Sequence, residues 1–176
     1  ALGQPIGFPL PDWTAQPRPP RTTMTGSHCR LEPLDAAGHA RHLFEAFSLD
    51  KEGRNWTYLA VGPFADFAGF NDWVASAAIS EEFQFWAIID TEHERAVGFA
   101  SYLRIDPAVG SIEVGFINYS PLMQRTPIAT EAMFLMMGRV FDELGYRRYE
   151  WKCDALNAPS RRAALRYGFQ YEGLFR

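Results

Sequence analysis

"SPLMQRTPIATEA", residues 120–132, joins a strand ending near Tyr119 to the clearest helix in the chain. Pro127 fits the first helical position, where its missing N–H would have had no intrahelical acceptor, and Thr126 fits the N-cap before it. From Pro127 to Leu144 the apolar positions Ala129, Ala132, Met133, Met136, Val140 and Leu144 form one stripe, and Gly145 stands where a terminating glycine belongs. At the helix start, the amides of Ile128, Ala129 and Thr130, with those of Arg125 and Thr126 in the loop, are expected to lack partners. Such a helix end favours an anion by roughly 0.3–1 kcal/mol, and Arg125 adds a charge. Phosphate loops at this kind of junction ordinarily carry glycine. This one has none, and the fixed φ of Pro127 is expected to stand in for it.

The elements on either side decide the fold class. Before the junction, "FQFWAIID" (83–90), "RAVGFASYLRI" (95–105) and "GSIEVGFINYS" (110–120) alternate apolar and polar residues, which predicts an antiparallel meander of three strands. After it, "RRYEWKC" (147–153) reads as a strand, "NAPSRRAALRYGF" (157–169) as a helix ending at Gly168, and Phe169 to Phe175 as a last strand. Upstream, His28 to Leu34 predicts a first strand. Ala36 to Phe47 predicts a helix through Ala40, Leu43, Phe44 and Phe47, and a second helix starts near Phe64 with Phe67, Phe70 and Val74 on one face. The expected architecture is a mixed α/β fold: a mostly antiparallel sheet with one parallel crossover around the long helix, in the order β-α-α-β-β-β-α-β-α-β.

Residues 1–25 carry Pro5, Pro9, Pro11, Pro17, Pro19 and Pro20 and predict an extended arm. Its apolar Ile6, Phe8, Leu10 and Trp13 are expected to lie against the domain, residues 26–176, or against a partner subunit. A length of 176 residues with 47% hydrophobic content suits one domain with a real core. The net charge of -4 argues against a protein built to coat nucleic acid. Two distant cysteines, Cys29 and Cys153, suit a reducing compartment, and Cys153 reads as a buried small hydrophobe. The four histidines do not cluster, so no metal site is expected. No run reaches a membrane span and the first residues lack a signal-peptide layout, so a cytoplasmic, soluble protein is expected.

With these elements placed, "QRTPIA" (124–129) resembles the QxxGxG/A pyrophosphate loop of the GNAT superfamily of acyl-CoA N-acyltransferases, with Pro127 at the first glycine and Ala129 at the second small position. "NAPSRRAALRYGFQYEG" (157–173) is similar to a segment of its ribosomal-protein N-terminal (Rim-type) acetyltransferase branch. The resemblance covers the chain from His28 onward. It implies acetyl-CoA as cofactor, splayed strands 112–119 and 147–153 around its pantetheine arm, and an amine acceptor that is a small molecule or a peptide. It admits a homodimer. The final strand of that family, a seventh, is expected to be missing after Arg176.

Residue by residue, the resemblance implies that backbone at Phe116, Ile117 and Asn118 pairs with pantetheine. Gln124, Arg125, Thr126, Ile128, Ala129 and Thr130 would hold the diphosphate, and Asn157, Ser160 and Arg162 would touch the rest of the coenzyme, Arg162 as part of a basic side with Arg161 and Arg166 that reads equally as a solvated face. Glu113, Glu172 and Ser160 are the catalytic candidates; as residues, Glu113 reads equally as a strand glutamate paired with arginine, and Asn157 and Ser160 as helix-capping groups. Where many members place a thiolate-protonating tyrosine this chain has Ala164, and Tyr167 comes three residues too late. Trp56 and Tyr58, ahead of Phe64 and Phe67 whose helical spacing also suits the core, are expected to wall the acceptor pocket. The implied function is N-acetyl transfer; the alternative is an acyl-CoA-binding module that has lost its acid and base.

Overall fold

The computed structural model describes residues 2–176. Among them, six strands form one sheet in chain order: β1 (Met24–Thr25), β2 (Cys29–Pro33), β3 (Gln84–Asp90), β4 (Arg95–Asp106), β5 (Ser111–Tyr119) and β6 (Arg148–Trp151). Neighbours are antiparallel except β5 and β6, which run parallel. A parallel pair needs a long crossover, and α3 (Pro127–Gly138) supplies it. Helices α1 (Ala36–Phe47) and α2 (Phe67–Ala78) lie between β2 and β3, and α4 (Ala158–Arg166) follows β6.

Side-chain alternation along β3 sorts the core into two layers. Phe85, Ala87 and Ile89 join Leu43, Phe47, Phe70 and Val74 under α1 and α2. Trp86 and Ile88 join Met133, Met136 and Val140 under α3. The α3 stripe is the one the sequence predicts; beyond Gly138 the chain winds into a wider π turn, where the Leu144 N–H donates to the Arg139 carbonyl at 3.0 Å. Gly145 then takes φ +71°, the left-handed backbone that ends a helix.

Three expectations need correcting. The second helix starts at Phe67 rather than Phe64, because the Asp66 carboxylate accepts the Gly69 N–H at 2.9 Å and fixes the cap there. Residues 169–175 form no strand: Phe169 stacks on Tyr149 and Trp151, and Glu172 is held by Arg148. Those side-chain contacts replace the backbone ladder that alternation alone cannot guarantee. Conversely, Met24 and Thr25, inside the proline-rich stretch, pair with β2 as a short strand.

Much of the arm is bound. Trp13 Nε1 donates to the Ala108 carbonyl at 2.7 Å, the Tyr146 hydroxyl donates to Pro17 at 3.1 Å, and buried Arg139 donates to the carbonyls of Thr22 (2.7 Å) and Thr23 (3.2 Å). Leu2, Ile6 and Phe8 at its beginning are exposed.

Candidate active site

The β5–β6 ladder runs from Ser111–Arg148 to Val114–Trp151 and ends, while β5 continues to Tyr119. Between the pairs Ser101–Gly115 and Phe99–Asn118, β5 has two residues, Phe116 and Ile117, where β4 has only Ala100. This bulge puts Phe116 at φ +47° and bends β5 away from β6. The backbone from Gly115 to Ile117 is left half-buried at an unpaired edge. That opening is the splay expected between these strands.

The start of α3 borders the same end of β5. Asp35, Asp66 and Asn157 cap α1, α2 and α4 with side-chain oxygens, but α3 has no side-chain cap. Thr126 holds the N-cap position with its hydroxyl turned back to the Met123 carbonyl at 2.8 Å. The Thr126 N–H also donates to Met123, at 3.3 Å, so it is not the bare amide expected of it. By helical register the Thr130 N–H is the first with an intrahelical acceptor, which leaves Ile128 and Ala129 as the bare amides of the turn. Arg125 takes φ +62°. The left-handed conformation that a glycine would supply is therefore adopted by an arginine, one residue after Gln124.

Helix α4 reaches both places. Asn157 accepts the Ser160 N–H at 3.1 Å, the capping role, and the Ser160 hydroxyl accepts from Trp151 Nε1 at 2.9 Å, just where the ladder ends. Arg162 is exposed and, among the described residues, makes no hydrogen bond to α3. Arg166 makes that contact instead, donating to the Thr130 hydroxyl and to the Tyr167 hydroxyl, both at 2.8 Å. The Tyr167 hydroxyl donates in turn to the Ala129 carbonyl at 3.0 Å, and burial raises its pKa. Tyr167 therefore braces the first turn of α3 and does not replace the tyrosine lacking at Ala164. Cys153, expected to be buried, is exposed beyond the last ladder pair.

Neither candidate carboxylate stands free. Glu113 is 4% exposed, and its Oε2 receives Arg104 at 2.6 Å and Lys152 at 2.5 Å. Burial would lower the Lys152 pKa, but the carboxylates of Glu113 and Glu150 outweigh it and raise it. Glu172 lies on the surface, gripped by both arms of Arg148. Both serve as ion-pair partners, for Glu113 the arginine-paired reading that the sequence also allowed.

On the opposite face of the sheet, a short 3-10 turn (Arg54–Trp56) packs against the end of β5. Asn55 Nδ2 and Gln124 Nε2 both donate to the Tyr119 carbonyl, at 3.1 and 2.7 Å, and Gln124 also donates to Asn55 Oδ1 at 2.9 Å. Gln124, though exposed, thus fixes the loop through its carboxamide, and Asn55 had no signal in the sequence. A cavity of about 360 Å³ lies beside this turn, walled by Phe44, Phe47, Trp56, Phe64 and Phe70 and rimmed by Asp50 and Glu52. Trp56 is one of its walls. Tyr58 is half exposed and outside the cavity, while Phe64 and Phe47 take its place.

The family model described as an acetyltransferase (GNAT) domain matches residues 28–170. The chain belongs to the GNAT acetyltransferase family. A solved GCN5-related N-acetyltransferase from Brucella melitensis is 47% identical, with a TM-score of 0.92, over 95% of this chain and 76% of that one. A probable acetyltransferase (GNAT family) from Chromobacterium violaceum is 39% identical, with a TM-score of 0.87, over 97% and 84%. The ribosomal L7/L12 alpha-N-protein acetyltransferase RimL shares the fold at 18% identity and a TM-score of 0.72, over 86% and 82%. No curated protein matches the chain in sequence. As a GNAT member the chain is an acyltransferase by family. Its uncapped α3 turn and the unpaired β5 edge fit the diphosphate and amide groups of coenzyme A. No helix of the described residues is long and apolar enough to cross a membrane.

Proposed function

We propose that this chain moves an acetyl group from acetyl-CoA to a primary amine, a protein N-terminus or a small molecule, by direct transfer in a ternary complex. The observation that carries the reading is the start of α3: it alone among the four α-helices lacks a side-chain cap, and it borders the opening between β5 and β6. The Arg125, Ile128 and Ala129 amides hold the diphosphate, with the charges of Arg125 and Arg166 beside them. Backbone at Phe116 to Asn118 holds the pantetheine arm, and an N–H of that stretch is placed to polarise an acyl carbonyl.

Acetyl-CoA supplies the activated acyl group. Because the Ser160 oxygen already accepts from Trp151, its own proton is free to be donated, and Ser160 is the candidate for returning a proton to the departing sulfur. With Glu113 and Glu172 committed to cations, the proton of the amine leaves through water. Thiol release from acetyl-CoA with a panel of amines and N-terminal peptides tests the reading: turnover on at least one acceptor is expected. Ala164 and the ion-paired carboxylates favour a second reading, an acyl-CoA-binding module without activity, which calorimetric binding without turnover on any acceptor would establish.

A further inference from the structure

Gln84, the first residue of β3, is 7% exposed, and its Oε1 has no hydrogen-bond partner. Its Nε2 donates to the Pro19 carbonyl of the arm at 3.3 Å. A flipped carboxamide would set oxygen against oxygen there, so the unanswered atom is an acceptor. Burying such an atom unpaired is destabilising and calls for a use. Gln84 also lines a cleft of about 370 Å³ whose other walls are Arg18, Arg21 and Glu81. In the ladder Gln84 lies opposite Tyr102, whose hydroxyl donates to the Met136 carbonyl at 2.7 Å. Residues directly opposite share a sheet face, so the cleft sits toward the far end of α3, about two and a half turns of helix from its uncapped start. It is separate from the acyl-transfer site.

The four walls differ in what they offer. Arg21 closes the end of α2 by donating to the carbonyls of Ala78, Ser80 and Phe83, and no carboxylate neutralises it among the described residues. Arg18 and Glu81 are exposed, and neither side chain has a hydrogen-bond partner among those residues. The guanidiniums only donate; the Glu81 carboxylate and the Gln84 Oε1 only accept. A bare anion such as phosphate would meet the arginines but face Glu81 and leave Gln84 unanswered. An amine alone would be repelled by the two guanidiniums. A molecule that joins carboxylate to ammonium answers all four walls, and the walls together carry a net positive charge, so the matching ligand is net negative.

We infer that this cleft binds a free acidic amino acid, its two carboxylates on Arg18 and Arg21 and its ammonium between Glu81 and the Gln84 Oε1. That oxygen is closed to water in the empty cleft. Arg18, unpartnered at the rim, is a wall free to move, and it turns onto a ligand carboxylate as the ammonium reaches the oxygen. The arm is already pinned on either side, at Pro17 by the Tyr146 hydroxyl and at Thr22 by Arg139. The ligand adds a tie between the arm and the start of β3.

The test titrates the whole chain, without acetyl-CoA, with L-glutamate, glutarate, L-glutamine and inorganic phosphate by calorimetry. The expected result is saturable binding of glutamate. Glutarate, which lacks the ammonium, glutamine, which lacks one carboxylate, and phosphate should each bind at least about tenfold more weakly. No binding of glutamate, or equal affinity for any of the other three, overturns the inference. Arg18→Gln and Gln84→Leu should each weaken glutamate at least about tenfold and leave acetyl-CoA affinity unchanged; glutamate affinity equal to wild type in either variant overturns it. If Gln84→Leu does not fold, the exposed Arg18→Gln decides. Limited proteolysis gives a second readout. Glutamate should slow cutting within residues 13–23 of the wild type and not of Arg18→Gln, and a cutting rate that glutamate leaves unchanged in wild type overturns the inference.

Discussion

Arg166, the last residue of α4, donates to the hydroxyl of Thr130 in the first turn of α3 at 2.8 Å. One guanidinium thereby links the final helix to the uncapped first turn of α3, with the Tyr167 ring 4.4 Å beneath it. In the proposed site, replacing it removes a charge beside the diphosphate while leaving the turn's amides in place. Arg166→Gln is expected to weaken acetyl-CoA binding by roughly two- to fivefold, the worth of an exposed charge pair of about 0.5–1 kcal/mol. Calorimetry at two salt concentrations checks it: the variant should also lose part of the salt dependence.

Glu131, on the opposite flank of α3, accepts the N–H groups of Ser27, His28 and Cys29 at 2.8, 2.6 and 2.7 Å. Burial raises its pKa, but these three donors outweigh that and hold the carboxyl below the usual glutamate range. A depressed carboxylate contributes stability that is fully present above its unfolded value and is lost as pH falls through the folded one. The melting-temperature gap between wild type and Glu131→Gln should therefore be constant above about pH 5 and close progressively at lower pH. A gap that widens on acidification contradicts this.

Arg139 is 5% exposed and donates to the carbonyls of Thr22 and Thr23. Arg139→Leu strips those acceptors of a charged donor and should cost about 2–3 kcal/mol. Limited proteolysis should then cut within residues 13–23 at a rate well above wild type.

The two thiols differ sharply. Burial, followed by the adjacent Glu131 charge, pushes the Cys29 thiol up to about 12, whereas Cys153 is exposed. A thiol reagent at neutral pH should label one cysteine per native chain and two after denaturation, since the thiolate is the reactive form. Rapid labelling of both in the native chain would contradict the packing of Cys29 beneath α3.

The sequence made the frame legible because burial leaves a period. The α3 stripe, the three-strand meander and the parallel crossover all follow from apolar spacing, and the Pro127 and Gly145 boundaries from backbone chemistry. Features made by long-range pairing had no such trace. Nothing near Phe116 marks a bulge, and Arg125 gives no hint of its left-handed φ, since either could sit in an ordinary strand or loop. The ion pairs that occupy Glu113 depend on Arg104 and Lys152, far from each other in sequence. Residues 169–175 show the reverse case, a strand-like pattern whose backbone meets no partner. Of the α4 arginines it is Arg166, in the last turn, that hydrogen-bonds to α3, and spacing within one helix does not reveal which one will.

The central claim is that the bare amides of α3 receive the coenzyme's diphosphate. Thr126→Asp places a capping carboxylate at that N-cap, a change that favours the helix by about 0.5–2 kcal/mol while filling and charging the anion site. Isothermal titration of this variant with acetyl-CoA is the most direct measurement. The expected result is a melting temperature equal to or above wild type together with at least about a tenfold loss of affinity; wild-type affinity in the well-folded variant would contradict diphosphate binding at this turn.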